Sequence, residues 1–147
     1  MIKNKITEEL TNQIISSNNL SDYISRNKEN FLEISLSEYL KNIVKEKGLD
    51  EKEVRKNSGI DNTYVYEIFN GKKKNVARDK LILISLSMGL DLKETQRLLK
   101  LGGKNELYSR NIRDSIIIFS ICQKYDIEKT EELLFNEGYE SLYNHNK

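Results

Sequence analysis

Between Ser35 and Gly48 the apolar residues Leu36, Tyr39, Leu40, Ile43 and Val44 recur three and four positions apart, the spacing that lines one face of an α-helix. Ser35 with Glu38 forms a capping box at its start, and Gly48 stops it. A second box, Asp50 with Glu53, opens a short helix to about Ser58, and Gly59 follows where a tight turn wants a positive φ. Asp61 caps the next helix, which turns Val65 and Ile68 inward and ends at Gly71. Upstream, Thr7 can cap a helix carrying Ile6, Leu10 and Ile14, which the polar run from Ser16 to Asn19 should end. A shorter helix with Tyr23 and Ile24 is expected from Ser21.

Downstream the pattern repeats. Arg78 to Leu99 reads RDKLILISLSMGLDLKETQRLL, and 35 residues later Arg113 to Leu134 reads RDSIIIFSICQKYDIEKTEELL. Without gaps the two share Arg, Asp, Ile, Ser, Asp, Thr and the closing Leu-Leu. Each predicts an apolar helix, a turn at Gly89 or Lys124-Tyr125, and an amphipathic helix capped by Asp91 or Asp126. Two copies are fewer than a solenoid generally needs, so the expectation is a duplicated helical hairpin stacked within one domain. With no proline and seven glycines, the 147-residue chain is short of helix breakers. It reads as all-α, about eight helices: an N-terminal helical extension over 1–34, a core over 35–102, and a second hairpin with a polar tail over 103–147.

Composition narrows the function. Twenty-four Lys and Arg balance 23 Asp and Glu, which excludes a uniformly basic coat for nucleic acid and leaves room for a local patch. The single cysteine, Cys122, lies in an apolar run and reads as a small buried hydrophobe. The N-terminus turns acidic before a signal-peptide core could form, and no run reaches the roughly 20 apolar residues of a membrane helix; a cytoplasmic protein without membrane contact is expected. The single histidine, His145, sits in a polar tail, and neither GxxxxGK[ST] nor GxGxxG occurs. Catalysis, a metal site and a cofactor are therefore not expected.

From Glu51 to Ile68 the apolar positions Val54, Ile60, Val65 and Ile68 around Gly59 have helix-turn-helix spacing. In such a unit one helix braces on the phosphate backbone while the first turn of the next enters the major groove. The residues resemble the lambda-repressor-like, or XRE-type, helix-turn-helix family over about Leu36 to Leu99, most tellingly at GIDNTYVYEIFNGKKK. The stretch to Leu142 is similar to bacterial members carrying an additional helical pair. The resemblance implies a five-helix core, double-stranded DNA as the ligand and transcriptional regulation as the role. It places base reading on Asn62, Thr63, Tyr66 and Glu67, phosphate contacts on Lys72, Lys73, Lys74 and Arg78, and the turn on Gly59. Asn62 suits adenine, Thr63 a thymine methyl or a phosphate, and Glu67 cytosine. The chain departs from the family pattern at Arg55, where alanine is usual, and at Glu51, where a neutral phosphate-contacting residue is common.

Local charge agrees with that placement: residues 51–80 hold eight basic and five acidic side chains, a surplus of three, while the flanking segments each come to minus one. Other readings of the same residues stay open. The lysines can meet the negative end of a helix dipole, Tyr64 and Tyr66 can pack, and Arg78-Asp79 and Arg113-Asp114 can cap helices and bridge neighbours. The functional alternative is a non-catalytic protein-interaction module built on the same helices. A homodimer is expected, with the second hairpin as its contact surface.

Overall fold

The computed structural model of the chain describes residues 11–14, 19–21 and 34–143. Two compact units are present, Met1–Glu33 and Ile34–Lys147. In the first, residues 11–14 and 20–21 are helical, and Ile14 and Leu20 are exposed; the expected Thr7 cap and the residues Tyr23 and Ile24 lie outside the described residues. Among the described residues there is no strand, and no helix is long and apolar enough to cross a membrane.

The second unit holds α1 (Leu36–Lys47), α2 (Glu51–Ser58), α3 (Asn62–Phe69), α4 (Arg78–Met88), α5 (Leu92–Leu101), α6 (Ile112–Cys122) and α7 (Ile127–Asn136). The capping signals act much as the sequence suggests. Ser35 and Glu38 form the reciprocal box, and Asp61, Asp91, Asn111 and Asp126 each accept the amide three residues on. Asp50 differs: it accepts from the Lys52 amide, a one-sided cap without the arm expected from Glu53.

Three helix-to-helix turns share one local form, one more than the sequence repeat shows. α1, α4 and α6 each close on a left-handed residue, Gly48, Gly89 and Lys124. In each, the next amide returns to a carbonyl of the last turn: Leu49 to Val44 at 2.9 Å, Leu90 to Ser85 at 3.1 Å, Tyr125 to Ser120 at 2.9 Å. An aspartate then caps the following helix. This closure satisfies carbonyls that the helix end would otherwise leave open.

The two related hairpins face each other rather than stacking in one direction. Arg78 grips Asp114 in a bidentate pair at 3.0 and 2.8 Å, and Arg113 grips Asp79 at 3.2 and 2.9 Å. Each arginine also donates to the loop after its own hairpin, Arg78 to the carbonyls of Asn105 and Glu106, Arg113 to those of Glu140 and Ser141. In a translated array the second arginine would need the aspartate of a third copy. Here it returns to the first, as an approximate two-fold requires. The helix packing agrees, since α4 meets α7 and α5 meets α6. Burial alone would raise the Asp114 carboxyl, but the Arg78 hydrogen bonds, the Tyr108 amide and the charges of Arg78 and Arg113 hold it below the ordinary carboxylate value.

α4 lies at the centre, packed on α2, α5 and α7 with Leu81, Ile82, Leu83, Ile84, Ser85 and Met88 all buried, as a helix apolar on all sides must be. Leu40, Val54, Val65, Ile68, Phe69, Leu98, Ile117 and Leu134 complete the core. Cys122 is not part of it: the phase of α6 turns Ile117, Ser120 and Ile121 inward and leaves Cys122 exposed. The sequence expectation fails there because an apolar run alone does not fix the rotation of a helix.

Candidate nucleic-acid interface

α2 buries Val54 and Ser58 and ends at Gly59, whose φ is 72°. The Ser58 hydroxyl donates to the Arg55 carbonyl and accepts from the Ile60 amide, closing the turn. Tyr143, from beyond α7, donates its hydroxyl to the Ser58 carbonyl at 2.8 Å, and a Cβ on Gly59 would lie 2.3 Å from that hydroxyl oxygen. Gly59 thus answers both to its backbone conformation and to the close approach of Tyr143.

Asp61 accepts the Tyr64 amide at 3.1 Å and so starts α3 at Asn62. Val65, Ile68 and Phe69 fix the helix on the core, which leaves Asn62, Thr63 and Tyr66 exposed and Glu67 half-buried. Asn62 and Tyr66, four residues apart, share a face, as do Thr63 and Glu67. The amide of Asn62 is already oriented: its Oδ1 accepts the Arg55 Nε–H at 3.0 Å. Arg55 also pairs with Glu51, and its guanidinium lies 5.6 Å from the Tyr66 ring centroid. With a side chain only 13% exposed, Arg55 spans from α2 to the start of α3 where the family resemblance expects alanine. Held this way, Asn62 turns its two N–H donors to solvent.

Beyond α3, the carbonyl of Glu67 accepts the Lys73 amide at 3.0 Å, and Asn70 Oδ1 accepts the Lys72 amide at 3.0 Å. The backbone of the lysine loop is therefore held while Lys72, Lys73 and Lys74 are exposed. Tyr64 packs against the core with its outer ring covered by two ammonium groups, Lys73 Nζ at 5.1 Å and Lys80 Nζ at 3.9 Å from the centroid. Such cation–π contacts gather positive charge beside the first turn of α3.

Arg78 points away from this face. Its Nε and both terminal nitrogens donate to Asp114, Asn105 and Glu106, so the guanidinium joins the hairpins. Lys80 and Arg55 are the residues that sequence reasoning did not assign to the site. The lysine had a signal in its charge, but its place over Tyr64 depends on how α4 crosses α3. Comparison with protein-family models, with curated proteins and with solved structures returns no match to this chain.

Proposed function

We propose that the chain binds double-stranded DNA through α2 and α3 and acts as a transcriptional regulator. The observation that carries this reading is the exposed first turn of α3, with Asn62 pre-oriented as a donor, followed directly by a backbone-fixed loop of three exposed lysines. In the major groove, side-chain donors at a helix start can meet purine N7 and O6, while exposed ammonium groups nearby meet phosphates. In this reading Asn62, Thr63 and Tyr66 face the bases with Glu67 at the margin. Lys72, Lys73, Lys74 and Lys80 supply the phosphate contacts, and the role expected of Arg78 passes to Lys80 because Arg78 is engaged inside the fold.

Glu51 favours the second reading, a protein-interaction module. Its carboxylate, 32% exposed and paired with Arg55, stands where approaching phosphate would be repelled. Selection from a random duplex library separates the two. The DNA reading expects an enriched site, at which Asn62→Ala costs roughly 1–3 kcal/mol and relaxes preference at one position, with nonspecific binding nearly intact. A library that returns no enriched sequence removes the specific-binding claim.

A further inference from the structure

Asn62 stands in the first turn of α3 with its amide already committed. A carboxamide carries an oxygen acceptor at one end and a nitrogen with two donors at the other, so what it shows a ligand depends on which end is held. A guanidinium offers donors alone. An amide facing Arg55 can therefore present only its oxygen, and Oδ1 accepts the Arg55 Nε–H at 3.0 Å. Arg55 is itself held on two sides, by Glu51 one turn back in α2 and by the ring of Tyr66.

The bases differ in what they ask of such an edge. In the major groove adenine sets the N7 acceptor beside the N6 amino donor, so a bidentate asparagine must offer oxygen and nitrogen together; guanine sets two acceptors, N7 and O6, side by side. One Oδ1 lone pair is filled by Arg55. An amino group of adenine reaching for the other approaches a fixed positive charge, which repels its N–H dipoles and attracts the O6 of guanine. The Nδ2 donors are left to meet N7 and O6.

We propose that Arg55 sets the base preference of this site, turning Asn62 from a reader of adenine into a reader of guanine. The inference rests on the DNA reading of α3 given above. Arg55 is a positioning residue: it acts through Asn62 and touches no base.

Selection from a random duplex library, run with the wild type and with Asn62→Ala, locates the base pair whose preference depends on Asn62. In the wild-type site that pair should be G·C, with A·T there bound roughly 5- to 150-fold more weakly, the range of one good bidentate contact. Replacing its guanine by 7-deazaguanine, which removes the N7 acceptor and keeps the pairing, should weaken binding several-fold. The double variant Glu51→Gln, Arg55→Ala keeps the net charge and frees the amide to turn. Its preference at that pair should move to A·T, with the rest of the site and the salt dependence unchanged. An Arg55 that only braced the helices would lower melting and affinity for every site alike and move no base. A wild-type site with A·T at the Asn62-dependent pair, a site with no Asn62-dependent pair, full affinity for 7-deazaguanine, or a folded double variant that keeps G·C overturns this proposal and leaves DNA binding standing. A selection that enriches nothing removes specific binding and this proposal with it.

Discussion

Gly59 carries two constraints that add in one direction. A left-handed backbone costs a residue with a Cβ about 1–2 kcal/mol, and the Cβ would press on the Tyr143 ring and hydroxyl. Gly59→Ala is expected to lower the unfolding free energy by at least that amount in denaturant titration. Because part of the loss is the clash, the cost should shrink when the same change is made in a Tyr143→Ala background, a coupling that a double-mutant cycle measures. The Arg78–Asp114 pair gives a pH-dependent prediction. A carboxyl whose folded pKa is depressed stabilises the fold above its unfolded pKa, and loses that contribution as pH falls through its folded value. Asp114 is in that position. Asp114→Asn should cost about 1.5–3 kcal/mol at neutral pH, the worth of hydrogen bonds to a charged partner. Its stability should also fall less than the wild type's on acidification below the ordinary carboxylate range.

The hairpin is the element that this chain reuses, and it shows where the sequence is readable. Helix starts were legible because a cap is local: a side chain three residues from an amide needs no tertiary information, as at Ser35, Asp61, Asp91 and Asp126. The two-fold between hairpins was not, since a translated stack would carry the same repeat, and the return of Arg113 to Asp79 and the packing of α4 on α7 separate the arrangements only in three dimensions. Cys122 failed for want of helix phase. At the candidate site, the exposure of Asn62 and Thr63 followed from their position after the Asp61 cap. The bond from Arg55 to Asn62 and the placement of Lys80 over Tyr64 depend on helix crossing, which no local pattern encodes. One consequence belongs to this scale. Gly89 and Lys124 occupy the same left-handed position in the two hairpins, at φ 67° and 60°. Lys124→Gly should relieve strain and raise stability by roughly 0.5–1 kcal/mol in thermal or denaturant unfolding, while Gly89→Lys should lower it.

Over the whole molecule the charges nearly cancel, and function on this account depends on where the surplus lies. The two arginines that lock the hairpins, and the one that pairs with Glu51, are internal to the fold. The cationic face is then made of lysines: Lys72, Lys73 and Lys74 in the loop and Lys80 beside them. Such contacts release counterions from DNA, so the logarithm of the binding constant falls with the logarithm of salt by about 0.9 per phosphate met. The most direct test is that slope, measured by fluorescence anisotropy on a random duplex for the wild type and for the Lys72→Ala, Lys73→Ala, Lys74→Ala triple variant. The account predicts binding at low ionic strength that weakens steeply with salt, and a triple variant whose slope is shallower by about one unit for each lost contact. A wild type with no salt-sensitive affinity, or a triple variant with an unchanged slope, would contradict it.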